Sequence, residues 1–359
     1  MAMTHSFPNC IFSGKYASSS HVQGIAVDTE AGYVYYSFTT MLLKTDLSGN
    51  PVGSVHRLAG HLGCITFDAE RRRVCGSLEL KHDAIGQGII AKSGWDPSAE
   101  DSFYLVSFDV DRIDRMGMDA ELDGVMRAVY LRDVVSDYHA TDEVSNCPHR
   151  YGCSGIDGTG LGPAFGMSAD APEKLMVAYG IYGDVDRTDN DYQVILQYDP
   201  SVIDQYGKPL DQSAPHHSGP ERCERRYFLY TGNTTYGVQN LEYDAHTKCW
   251  IASVYRGKKP CFENHSTFFI DGKASPQSQV LQGRGGEVGE VLMHASLPSK
   301  RGSVGSVDFA YGQTGIFSFG DGSYYFSHDG RDREAGVFYT ELVKYRMDPL
   351  SEDMFVRVE

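Results

Sequence analysis

The sequence predicts an all-β fold, a five-bladed β-propeller with four-stranded antiparallel blades and long loops on one face. Three observations predict it. One short phrase recurs along the 359 residues: "HVQGIAVD" at 21–28, "HLGCITFD" at 61–68, "PAFGMSAD" at 163–170 and "GVQNLEYD" at 237–244, with a weaker copy, "GIFSFGDGSYYFS", at 315–327. Each phrase is followed by a short turn and a second apolar run, which is the pattern of a hairpin. Helical periodicity is nearly absent, and only residues 110–122 and 201–206 read as single helical turns.

First strands are expected near residues 23–28, 63–68, 165–170, 239–244 and 315–319. Blades then begin near 21, 61, 163, 237 and 312, and residues 1–359 read as one propeller domain. The second strands, "YVYYS", "RVCGS", "LMVAY" and "CWIAS", reach a common position held by Ser37, Ser77, Tyr179 and Ser253, with Ser327 in the last copy. Third strands follow as "LLKTD", "YLVSFD", "VILQYD", "FFID" and "LVKYR". Fourth strands are less regular, for example "MRAVYL" and "GEVLMHASL". Four strands in each of five units describe a propeller. Asp28, Asp68, Asp170 and Asp244, which close the first strands, read as turn residues that bond nearby backbone. The strand-end serines read as groups that satisfy a neighbouring blade.

These repeats resemble the generic blades of NHL-like and glutamine-cyclotransferase-like propellers over most of the chain. The matching residues are the strand and turn residues that any blade needs, so the resemblance implies a fold and leaves function to the site. The five-blade likeness implies aminoacyl cyclisation as a weaker option. The only two tryptophans, Trp95 and Trp250, offer little aromatic lining for it.

Composition narrows the partners. With 41% hydrophobic and 12% aromatic residues the chain can bury a large core. A net charge of −16 argues against nucleic acid and against an anionic membrane surface, both of which attract basic footprints. No stretch approaches 18 apolar residues, the length of a membrane span. The start, "MAMTHSFPNC", lacks a basic region followed by an apolar run, so the expected location is cytoplasmic and the eight cysteines are expected to be reduced.

The chain spends its extra length unevenly. Asp28 to Asp46 spans 18 residues in blade 1, whereas Asp68 to Asp109, Asp170 to Asp199 and Asp244 to Asp271 span 41, 29 and 27. Strands of a blade alternate in direction. The connections between second and third strands therefore emerge on the same face as those between blades. Residues 81–102, 135–162, 183–191 and 256–266 are expected together there, over the channel, where a site for a small polar molecule is built most readily.

Candidate residues follow from that placement. His21 and His61 open first strands, where the other copies have Pro163, Gly237 and Gly312. The second strands exit at Glu79, Tyr182, Asp184, Arg256 and His328. Glu242 lies inside a first strand, where other copies have Ala26, Thr66, Ser168 and Phe317. His21, His61, His328 and Glu79 form a candidate set for a divalent metal (zinc, manganese or calcium). Without a metal, Glu242, His139 and Arg256 are candidates for acid–base work. "DVDRTDND", 184–191, is oxygen-rich enough for calcium but lacks the EF-hand glycine and glutamate, and a solvated turn explains it as well. Cys147, His149 and Cys153 with His139 make a zinc-like cluster of no standard spacing. "GCSGIDGTGLG" precedes no helix and so is not a nucleotide cradle.

The expected function is an enzyme, a hydrolase or lyase, acting on a sugar-like or hydroxy-acid substrate at the channel mouth, with or without a metal. The alternative is a propeller that binds a ligand or protein without chemistry. If His21 and His61 share a ligand as neutral imidazoles, affinity should fall below about pH 6. His21→Ala and His61→Ala should then cost affinity rather than stability. Rim histidines would instead lose about 1 kcal/mol of stability and no affinity. Thermal melts and ligand titrations of the two variants separate these outcomes.

Overall fold

The computed structural model describes residues 5–18, 20–93, 100–300 and 302–359. Trp95 and part of the 81–102 loop lie outside the described residues. Five sheets stand in a ring, a five-bladed propeller. The inner strands are Val22–Asp28, His61–Asp68, Cys153–Pro163, Thr234–Asp244 and Ile316–Ser318. In blade 1 the order runs outward through Tyr33–Phe38, Met41–Asp46 and Pro51–His56, all antiparallel. Edge strands extend this four-stranded plan. Met118–Asp119 lies parallel to the edge of blade 1, and two further strands widen blade 3.

The ring is closed by the N-terminus. Cys10–Phe12 pairs antiparallel with Val337–Met347, so the first described strand supplies the outer strand of the last blade. Closure of this kind covers a sheet edge that would otherwise offer unpaired backbone groups. Ile11, only 2% exposed, is its apolar anchor.

Part of the recurrent polar set takes the role the repeat implies, whereas Asp170 lies in a connection, Ser327 bonds Thr340 of its own blade, and the buried Ser253 hydroxyl has no hydrogen-bond partner among the described residues. Asp28 Oδ1 accepts from the amides of Glu30 and Ala31, and Asp244 accepts from those of His246 and Thr247, so each carboxylate holds its hairpin turn. The Ser37 hydroxyl donates to Gly63 O (2.7 Å) and that of Ser77 to Asp157 O (2.8 Å), each on the next blade's inner strand. Large aromatic side chains such as Tyr35, Tyr104, Tyr179, Trp250 and Tyr324 fill the wedges between sheets and are fully buried.

Three features differ from the expectation. The inner strand of blade 3 is Cys153–Pro163, not 165–170, and its blade begins before residue 163; "PAFGMSAD" lies in the hairpin connection. The glycines that read as loop are required by crowding, since a side chain at Gly160 would overlap Leu241 O of the neighbouring blade. Val288–Val291, from "GEVLMHASL", runs parallel to Arg225–Tyr230 on blade 3, while blade 4 ends on the two-residue strand Ser306–Val307. Two of the long loops hold helices, α1 (Ala84–Ser93) and α2 (Arg132–His139). The single turns expected near 110 and 201 are present, at Val110–Arg112 and Val202–Tyr206.

The long loops gather on one face. Tyr182 donates to Asp83 (2.8 Å), Ser145 to Asp189 (2.8 Å), and Arg187 to the carbonyls of Pro148 and His149 (2.7 and 2.9 Å). Lys259 reaches Arg187 O and Asp191. Two of the four carboxylates of the "DVDRTDND" loop are thus engaged by cations of the chain, Asp189 by Arg187 and Asp191 by Lys259. Among the described residues no helix is long and apolar enough to cross a membrane. The eight cysteines are unpaired.

Closure makes a prediction. Ile11→Ala should lower unfolding free energy by about 2–5 kcal/mol, the range for truncating a buried Ile. Urea denaturation measures it, and an Ile11→Val variant should lose less than half as much.

Candidate functional site

Blade 2 builds the floor of the site. His61 opens its inner strand and lies directly across from Glu79 on the second strand. Just past the end of that strand, at Leu80, comes Lys81, whose side chain is only 3% exposed. The Lys81 ammonium donates to Ser154 O (2.6 Å) on blade 3 and lies 2.9 Å from Glu79 Oε2 and 3.4 Å from Asp83 Oδ2. The other Glu79 oxygen accepts from the Ile156 amide (2.6 Å). Burial works to discharge Lys81, but Glu79, Asp83 and Asp157 outweigh it and hold the amine protonated.

Blade 3 supplies Asp157 through a distortion of its inner strand. The pairing register slips between Ile156 and Thr159, and such bulges re-aim side chains. The same slip occurs in the inner strands of blades 1, 2 and 4. It places Gln23 and Gln239 where blade 3 has Asp157, and all three line one cleft of about 390 Å³. Asp157 Oδ1 lies 3.4 Å from His61 Nδ1, and its Oδ2 accepts from Gln239 Nε2 (3.1 Å). His61 Nδ1 also lies 3.6 Å from Glu79 Oε2, yet it is buried and makes no hydrogen bond.

Helix α1 roofs the cleft. Asp83 caps its first turn by accepting from the amides of Ile85 and Gly86. Ile85 and Ile89 give the cleft an apolar wall, and Tyr236 and Tyr255 form the opposite lip.

The electrostatics raise both members of the Asp157–His61 pair. Burial, reinforced by the Glu79 charge, pushes Asp157 up to about 7. Burial would lower His61, but the Glu79 and Asp157 carboxylates overcome it and raise the imidazole above its usual value. His61, Glu79 and Asp157 each offer an atom within 4.8 Å of the others, so this trio could hold a metal ion. Lys81 already supplies a cation at Glu79, which disfavours a second one there.

The sequence-derived candidates separate. His61 and Glu79 come together. His21 lines the same cleft, with Nδ1 at 2.6 Å from the carbonyl oxygen of Val22. His328 instead stacks on Tyr311 (3.5 Å between centroids) and bonds the Tyr345 hydroxyl, and burial lowers its pKa. Glu242 lies near the hairpin end of its strand, two residues before Asp244, where Oε1 accepts from the Ser318 amide and burial raises it to about 8. Arg256 is spent on Asn264 O and Asp308, and His139 is exposed at the end of α2. Cys153 is buried and His149 bonds Tyr138 O, so the loop cysteines and histidines form no ligand group among the described residues. Lys81, Asp157 and Gln239 were not singled out from sequence. The signal for Asp157 and Gln239 is the pentapeptide repeat "HVQGI", "HLGCI", "GIDGT", "GVQNL", whose third residue is the one turned inward.

No protein-family model matches the chain, and no curated protein matches it. Among solved structures it is similar to a functionally unknown protein from Desulfotomaculum acetoxidans, at 10% identity and a TM-score of 0.35, covering 94% of this chain and 69% of that one. It is also similar to hydrazine synthase of Kuenenia stuttgartiensis, at 8% identity and a TM-score of 0.38, covering 94% and 83%.

The raised carboxyl predicts how stability depends on pH. Folded Asp157 keeps its proton up to about pH 7, whereas an unfolded aspartate loses it near 3.9. Between those values the folded state binds the extra proton, so stability falls as pH rises. His61, raised in the folded state, adds a loss in the same direction. Asp157→Asn should remove about 2–4 kcal/mol of the decline between pH 4 and 8. Urea midpoints across that range measure it, and an unchanged slope would show that Asp157 titrates normally.

Proposed function

We propose that this protein is an acid–base enzyme, a hydrolase or lyase, acting on a small, neutral, hydroxyl-rich molecule of the sugar class. One observation carries the reading. A carboxyl pushed to about 7 lies 3.4 Å from an imidazole in a cleft that also presents amide, hydroxyl and phenol groups beside an apolar wall and the lysines Lys81 and Lys92. Groups that titrate near the working pH are the effective proton donors and acceptors. In this reading protonated Asp157 gives its proton to the departing oxygen. His61, neutral in the form that carries the proton on Asp157, takes one from the attacking water, or from the carbon beside the departing group. The proton then passes from His61 to Asp157 and restores the starting state. Glu79 takes no direct part, because the Ile156 amide and Lys81 occupy its oxygens. Gln23 and Gln239 are suited to hold substrate hydroxyls, and the chain's net charge of −16 opposes a free anion.

A metal-assisted reading has one supporting observation, the proximity of the His61, Glu79 and Asp157 atoms. Calorimetric titration with zinc, manganese and calcium decides it. The acid–base reading expects no micromolar binding, and activity that survives chelation.

Turnover of a panel of chromogenic glycosides and sugar esters tests the proposal. His61→Gln and Asp157→Asn should each lower kcat by about 10²–10⁴-fold, with melting temperatures recorded as folding controls. The pH profile should have a limb near 7 that Asp157→Asn abolishes. Activity that survives both substitutions would overturn the acid and base roles of Asp157 and His61. Ligands that bind and are never turned over would favour a binding propeller.

A further inference from the structure

The lip of the site belongs to two clefts. Tyr236 and Tyr255 line the inner cleft with His61 and Asp157, and they also line a second, more open cleft of about 830 Å³ that runs outward between blades 4 and 5. The two spaces share this pair of rings, whose planes stand 89° apart with centroids 6.3 Å from each other.

Tyr236 is held in place at a cost. It is a non-glycine residue at φ 66°, within the irregular pairing between Thr235 and Val238. A backbone of this kind persists only where its surroundings impose it, and such positions gather at functional sites. Here the surroundings include Gln239, whose amide donates both to Tyr236 O and to Asp157 (3.1 Å each). One side chain thus ties the Tyr236 backbone to the proposed catalytic carboxyl. Tyr236 is 44% exposed, which leaves it open to a ligand in either cleft.

The outer cleft has no dominant charge. Arg256 and Lys258 on one side are matched by Asp308 and Asp353 on the other, and Arg256 already pairs with Asp308 at 3.4 Å. It suits neutral polar groups better than a polyanion or polycation.

We infer that the ligand is a chain and not a single ring, a neutral oligosaccharide with one unit at His61 and Asp157 and the next units crossing Tyr236 and Tyr255 into the outer cleft. This rests on the acid–base reading for its inner unit only. The apolar face of a sugar ring lies against an aromatic face, while its hydroxyls meet the polar walls.

Calorimetry and saturation-transfer NMR with neutral mono-, di-, tri- and tetrasaccharides of several homologous series test the inference. In one series, affinity should rise at least about tenfold from one unit to three and then level off. Tyr236→Ala should cost the trisaccharide at least about tenfold more affinity than it costs the monosaccharide, with the melting temperature nearly unchanged. Tyr255→Phe should have a small effect, because it keeps the ring. Binding without length dependence, or an equal loss for all lengths in Tyr236→Ala, overturns the chain inference and leaves the acid–base reading intact. Length-dependent binding with turnover indifferent to His61→Gln overturns the acid–base reading and keeps the chain. No binding by any sugar overturns both.

Discussion

The site depends on one buried charge. Lys81 leaves the second strand of blade 2 and drives its ammonium against a carbonyl of blade 3, between Glu79 and Asp83. An ammonium in such a place is tolerable only when paired and hydrogen-bonded, and removing a partner from a buried pair costs about 3–5 kcal/mol. The contact therefore fastens two blades together and fixes Glu79. Glu79 in turn anchors the Ile156 amide, which sets the course of the strand that carries Asp157. Backbone crowding reinforces this. Gly155 has φ 124°, and a side chain there would overlap Glu79 Oε1. With Lys81 engaged at Glu79, Asp157 is the carboxyl left to hold a proton near neutrality.

The same local device repeats around the channel with different chemistry at its tip. In blades 1, 3 and 4 a slip in the inner-strand register turns one residue toward the cleft: Gln23, Asp157 and Gln239. In blade 2 the equivalent residue is Gly63, where a side chain would overlap the Ser77 hydroxyl and crowd the Asp157 backbone. Two amides, a carboxyl and a bare glycine make an asymmetric site from a nearly symmetric scaffold. Because the bulge is part of the blade, exchanging the residue at its tip changes the lining without changing the fold.

Part of the site is legible in the amino-acid sequence. His61 and Glu79 follow from strand placement alone, since the first residue of an inner strand and the last residues of its hairpin partner must face each other. His21 reaches the same cleft by the same logic. Glu242 follows from equally good logic about an odd carboxylate near the axis, but it sits toward the hairpin end of its strand, and residue spacing does not report height along a channel. Asp157 is hidden when the copies are matched on their terminal aspartates. That match places the third blade at residue 163, whereas "GIDGT" is the true counterpart of "GVQNL". Its glycines resemble a loop because the crowding that demands them comes from other blades.

The sequence by itself determined the number of blades, the hairpin turns held by Asp28, Asp68 and Asp244, and the face on which the long loops gather. These rest on local periodicity, turn chemistry and the alternation of strand direction, all of which are written within a few residues of where they act. Only the tertiary structure decided that Cys10–Phe12 closes the ring, that Lys81 is buried against blade 3, and that Asp157 meets His61 at 3.4 Å. Those contacts join residues tens to hundreds of positions apart. The proton held by Asp157 depends on how much water and how many charges the other blades leave around it, and no local pattern encodes that.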